Sequence, residues 1–147
     1  MAGLDWKVAD PYFERIRVQE ADIDGFGHTN NVVYLRWIQD IAWAHSQRLG
    51  FSLAEYRRLG YGLVARKHEL EYLQPTFLDD ELLVGTWISA NDGRLSIHRE
   101  YQIIRPSDGR TVLVGSTHWV CVDMKTGRAR RLPQAFIDGY PAVGSAL

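Results

Sequence analysis

From Val32 to Leu49 the chain repeats with the period of a helix, and it does so over no other long stretch. Leu35, Ile38, Ile41, Ala42, His45 and Leu49 fall on one stripe, while Arg36, Gln39, Asp40, Gln47 and Arg48 fall mostly opposite. Trp37 and Trp43 add bulk beside the stripe, so this helix is expected to be covered on more than one side. Gly50 is a suitable stop. Ser52-Leu-Ala-Glu55 reads as a capping box that opens a short second helix, closed near Gly60. The rest reads as strand. A first run follows Pro11, and four longer ones span 63–72, 80–91, 95–104 and 111–123. Asn91-Asp92-Gly93, Pro106-Ser107-Asp108-Gly109 and Lys125-Thr126-Gly127 are turn signals between or after them. Strand candidates of about twice the usual five or six residues, joined by tight hairpins, imply one large curved sheet. One long helix and one such sheet make an α+β chain, about five antiparallel strands wrapped around the helix. A short helix over 133–138 is expected to close it.

A length of 147 residues implies one domain over 1–147, with a core at about 12–138 and loose arms at both ends. Net charge is −1 and neither sign forms a run, which argues against a nucleic-acid binder. Apolar runs are too short for a membrane span, and no signal-peptide core opens the chain, so the expectation is a cytoplasmic enzyme or binding protein. A single cysteine, Cys121, excludes an intrachain disulfide and a cysteine-based zinc cluster, and it reads as inert core. His68, His98 and His118 fall on separate strands with no metal-site spacing. No metal and no cofactor is expected. No Gly-x-Ser-x-Gly elbow and no phosphate-binding P-loop occurs.

Chemistry concentrates ahead of the long helix. Asp22-Ile-Asp24-Gly-Phe-Gly27-His28-Thr-Asn30-Asn31-Val-Val-Tyr34 sets two acids, a histidine and two asparagines where free N–H groups gather at a helix start. Such a place suits an anion or a developing oxyanion. Taken alone, an acid in an Asp-x-Asp-Gly turn more often serves the turn itself, and Asn30 more often caps the helix.

This motif resembles the signature of the 4-hydroxybenzoyl-CoA thioesterase-like branch of the hotdog-fold superfamily. Glu71-Tyr72-Leu-Gln-Pro75-Thr-Phe-Leu-Asp-Asp80 and Val120-Cys-Val-Asp123-Met-Lys-Thr-Gly127 resemble later landmarks of that family. The resemblance implies a sheet wrapped round one helix, a homodimer and a tetramer beyond it, and active sites at the dimer interface. It implies hydrolysis of acyl-CoA thioesters. Asp24 aligns with the catalytic carboxylate, as nucleophile or general base, and the N–H groups near Asn31 align with the oxyanion donor. His28 joins them as a catalytic candidate. Gly27, Asn30 and Tyr34 are candidate substrate contacts, with Tyr34 equally suited to pocket wall or core. Asp22 is the second choice of carboxylate. Carrier-protein thioesterases of plants have asparagine where Phe26 stands, so their full catalytic set is not present. Many bacterial relatives have glutamate where Gln39 stands, and Asp40 beside it is a minor candidate. Arg66, Lys67, Arg94 and Arg99 are available to CoA phosphates, and Arg128, Arg130 and Arg131 form the densest basic patch. Two alternatives stay open: an acyl carrier protein substrate, and an acyl-binding protein without catalysis.

Overall fold

The computed structural model describes residues 3–143; the ends of both expected arms, 1–2 and 144–147, lie outside the described residues. The strands are β1 (Tyr12–Arg17), β2 (Tyr61–Tyr72), β3 (Glu81–Asn91), β4 (Ser96–Arg105) and β5 (Arg110–Asp123). They form one antiparallel sheet in the order β1-β3-β4-β5-β2. The helices are α1 (Asn31–Arg48), α2 (Leu53–Leu59) and α3 (Gln134–Gly139). This is the expected α+β hotdog arrangement, with β2 at one edge.

Helix α1 forms where its apolar period demands it. Its stripe, through Tyr34, Trp37, Ile38, Ile41 and Ala42, is buried against Leu82, Val84, Tyr101, Ile103 and Leu113 of the sheet. Gly50 leaves the helix with φ +100°, a conformation glycine adopts without steric penalty. Register shifts at 65/67, 88/90 and 103/104 mark where strands bend.

A second cluster joins Phe51 and Tyr56 to Ile88, Ile97, Cys121, Leu132, Phe136 and Tyr140. Asn91 ties α3 to the sheet, its side-chain amide donating to the carbonyls of Phe136 and Tyr140 (3.1 and 2.9 Å). Beyond α3, the Val143 N–H donates to the Ile88 carbonyl at 2.9 Å.

The N-terminal arm differs from expectation. The Trp6 ring lies over Gly85, where a Cβ would strike it, and stacks on Phe13 at 5.7 Å. The Lys7 N–H donates to Gln102 Oε1, and Gln102 Nε2 donates to the Asp5 carbonyl, both at 2.9 Å. Residues 5–8 are therefore a strap across the outer face of the sheet, which is why β3 is buried on both faces. Trp37 is buried as expected, whereas Trp43 stays partly exposed.

Candidate active site

The 22–31 segment is a braced hairpin. Asp22 is buried with both oxygens engaged: Oδ2 accepts from the Gln19 N–H at 2.9 Å and Oδ1 from Arg36 Nη2 at 2.8 Å. It is a structural brace. The Asp24 N–H donates to the His28 carbonyl (2.8 Å), and Ile23 bridges Thr29. Asp24 Oδ1 accepts from the N–H groups of Phe26 (2.9 Å) and His28 (3.3 Å). Its Oδ2 has no partner among the described residues. One oxygen thus fixes the carboxylate while the other remains available. Gly27 turns the hairpin with φ +81°.

Asn30 caps α1, its Oδ1 accepting from the Val32 N–H at 3.0 Å. The Asn31 N–H, first of the helix, meets no acceptor among the described residues. Thr76 locks the assembly from behind. Its carbonyl accepts from the Thr29 N–H (2.9 Å), and its hydroxyl meets Thr29 Oγ1 (2.6 Å) and Tyr34 Oη (2.8 Å). Tyr34, a candidate substrate contact, is buried and tied to Thr76. Tyr72 donates to the Asn31 carbonyl at 3.0 Å. His28 is exposed and meets Phe77 edge-on at 5.3 Å. Nothing local in the sequence marks Thr76 as the hub, because its partners lie more than forty residues away.

A cavity of 740 Å³ opens between the second half of α1, α2, the first half of β2 and the sheet. None of residues 22–34 lines it. Its walls include Trp43, Leu63, Ile88, Ile97 and Trp119, with Asp40 and Arg99 also lining it. Arg99 was expected on the surface, within reach of CoA phosphates. It is instead 2% exposed, because it occupies an inward position of β4 between Ile97 and Tyr101. Its Nη1 donates to His45 Nδ1 at 2.8 Å and to Thr86 Oγ1 at 3.2 Å.

Burial, with the Arg99 charge second, holds His45 down at about 4. The unfolded ring, with its ordinary value of 6.5, takes up a proton at higher pH than the folded one. Stability is therefore complete above pH 6.5 and falls as the pH drops towards 4. With the partly open ring screened by solvent, the loss by pH 5 is about 1 to 2 kcal/mol. Thermal unfolding at pH 6.5 and pH 5 checks this: the midpoint should drop further in the wild type than in His45→Gln. Equal drops would remove His45 from the account. Burial also pushes the Cys121 thiol up to about 11, leaving it protonated at neutral pH.

Arg128, Arg130 and Arg131 are exposed and follow Asp123, at the end of β5 that pairs with Tyr61. The motif sits at the other end, where Tyr72 pairs with Leu113. The 18 residues of α1, about 27 Å, separate these two ends within one chain. His98 and His118 stack directly across the sheet at 4.3 Å. No cluster of three or more metal-ligating side chains occurs among the described residues. No helix among them is long and apolar enough to cross a membrane.

The sequence profile of the thioesterase-like superfamily matches residues 18–139. The chain belongs to the thioesterase-like superfamily. It is similar to the long-chain acyl-CoA thioesterase FadM of Escherichia coli (strain K12), at 24% identity over 119 residues, 80% of this chain and 88% of that protein. Two solved structures share its fold. The 1,4-dihydroxy-2-naphthoyl-CoA thioesterase Slr0204 from Synechocystis matches with a TM-score of 0.78 at 20% identity, covering 89% of this chain and 96% of the other. SAV2348 of Staphylococcus aureus, solved in complex with CoA, matches with a TM-score of 0.82 at 20% identity, covering 92% and 84%.

Proposed function

We propose that this superfamily member hydrolyses acyl-CoA thioesters to the free acid and CoA, with Asp24 as the reacting carboxylate. The observation that carries the reading is the half-fixed state of Asp24. Two N–H groups orient Oδ1, Oδ2 is free, and the open Asn31 N–H lies at the other end of the same short hairpin. A thioester carbonyl docked there would place its oxygen on that N–H as negative charge develops. Either Asp24 attacks the carbonyl carbon, expels the thiolate and forms a mixed anhydride that water cleaves, or it takes a proton from the attacking water. His28 and Asn30 flank this point and Gly27 shapes it, while Tyr34 acts from behind through Thr76. The 4-hydroxybenzoyl-CoA-like motif supports this branch of the family.

The site is read as shared between subunits. β2 is a 12-residue edge strand whose outer side is unpaired among the described residues, and such edges are covered in stable proteins. Around the motif, Phe26 (88%), Val32 (70%), Phe77 and Leu78 stand exposed, apolar surface suited to burial by another copy. A homodimer, and a tetramer built from it, would let the motif of one subunit face the cavity of another.

Thiol release from short, long, branched and aromatic acyl-CoAs tests the reading, with acylated carrier protein as a parallel substrate. Turnover of CoA esters supports it. Turnover of carrier-bound acyl groups alone moves the substrate to the carrier, and silence on both with retained acyl binding makes the chain a binding protein. The basic patch adds a separate expectation. Replacing Arg128, Arg130 and Arg131 together by alanine should raise KM for acyl-CoA by roughly three- to tenfold at low salt, because exposed charge contacts are individually weak. The salt dependence of KM should vanish with it. An unchanged KM would free the patch of any role with CoA phosphates.

A further inference from the structure

The guanidinium of Arg99 is a positive charge in the wall of the acyl-sized cavity. It is 2% exposed and forms no ion pair among the described residues. Burial holds the guanidinium below the ordinary arginine value, and the nearby Tyr101, Tyr140 and Tyr56 only partly oppose that shift. Its bonds are lopsided. Nη1 is satisfied twice, by His45 and Thr86, while Nη2 has only Ser46 Oγ at 3.4 Å. Nε is buried and has no partner among the described residues. Ser46 Oγ is already shared with the Tyr140 hydroxyl, which donates to it at 3.0 Å.

Nε, without a partner among the described residues, and Nη2, engaged only once at 3.4 Å, are adjacent. Nε–H and one Nη2–H lie parallel along a single edge of the guanidinium, the edge that a carboxylate matches with two hydrogen bonds. A buried arginine with neutral partners alone is costly, because desolvation of the charge is not returned by hydroxyls and an imidazole. The remaining lining is largely apolar, through Ala42, Trp43, Leu63, Ile88, Ile97 and Trp119. Asp40 and Asp123 also line the cavity. They oppose an anion that stays near them, so a carboxylate gains only by reaching the guanidinium itself.

We propose that Arg99 is a specificity residue that receives a carboxylate at the far end of the acyl group, so that the cavity selects ω-carboxyacyl (dicarboxylic) thioesters over monocarboxylic ones of equal length. The substrate class rests on the thioesterase reading above; the carboxylate site itself does not. A monocarboxylic product acid carries the same chemistry at its only carboxylate, so the two sources must be separated.

The test pairs hydrolysis with binding. Succinyl-, glutaryl-, adipyl- and suberyl-CoA are compared with the monoacyl-CoAs of the same chain lengths by thiol release. Adipate and hexanoate are titrated directly, following the fluorescence of the cavity tryptophans. At the best chain length the ω-carboxyl ester should be preferred in kcat/KM by roughly 10- to 100-fold, the range of a buried charge-assisted bond. In Arg99→Met the ratio should fall to about one. Arg99→Lys, which keeps the charge and loses the parallel edge, should fall between them. Adipate should bind more tightly than hexanoate to the wild type only. Equal hydrolysis of the two series by the wild type overturns the proposal and leaves the thioesterase reading intact, and needs no variant to fold. Arg99-dependent binding of adipate without any hydrolysis keeps the site and removes the thioesterase. Equal Arg99-dependent binding of hexanoate and adipate assigns the residue to the product carboxylate and overturns the terminal-carboxylate assignment, as does binding of neither acid.

Discussion

Asp24→Asn should lower kcat/KM about a thousandfold, near the middle of what a positioned acid or base contributes, or about 4 kcal/mol of transition-state stabilisation. The substitution is unusually clean here. Oδ1, which accepts from Phe26 and His28, is kept as the amide oxygen, so the hairpin retains both hydrogen bonds. Only the free oxygen is exchanged, for an NH₂ that neither attacks a carbonyl nor takes a proton at neutral pH. Thermal unfolding should therefore hardly change while turnover collapses, and KM should move little. A variant that turns over substrate at the wild-type rate would move the reacting carboxylate elsewhere, with Asp40 next, since it lines the cavity.

The largest stability effect is expected at Phe136. This ring is fully buried and sits edge-on to Phe51 at 5.3 Å and Tyr56 at 5.5 Å, with Tyr140 at 5.9 Å. Phe136→Ala should cost about 3 to 5 kcal/mol, from lost transfer energy and the cavity left behind, and lower the thermal midpoint by about 10 °C or more. The consequence reaches function because Tyr56 and Tyr140, which lean on this ring, line the acyl-sized cavity. Loosening that wall should weaken binding of the acyl group before the protein unfolds. A shift of the midpoint below about 2 °C would mean that α3 contributes little to the fold.

The elements were legible because each was carried by local signals. The stripe from Leu35 to Leu49 has one period, the strands have another, and Asn91-Asp92-Gly93 can only turn. Boundaries moved by one or two residues, as at Tyr61, which opens β2 ahead of the expected Leu63. What was not legible depended on partners far along the chain. Trp6 looked like part of a loose arm because the gap that receives it is Gly85. Thr76 lay unremarked between two strands because its bonds run to Thr29 and Tyr34, more than forty residues away.

The candidate site was legible in part. The motif announced an unusual helix entry, and the structure separates its two acids: Asp22 holds Arg36 and the backbone, whereas Asp24 keeps a free oxygen. Composition could not make that distinction, since both are acids two residues apart. Arg99 is the instructive miss. Counting by twos from Ile97 to Ile103 places it on the inward face with Tyr101, so the parity of β4 held the signal, and its charge alone suggested the surface. The 22–34 motif and the cavity lie apart in a single chain, and nothing in the sequence located the cavity.

The most direct measurement is the rate of thiol release from acyl-CoA by the purified protein, wild type and Asp24→Asn in parallel, with acyl-ligand binding measured on both. The expected result is turnover of at least one acyl class by the wild type, loss of about a thousandfold in the variant, and binding retained in both. Turnover that survives in Asp24→Asn would contradict the mechanism, and an inert wild type that still binds the acyl group would contradict hydrolysis itself.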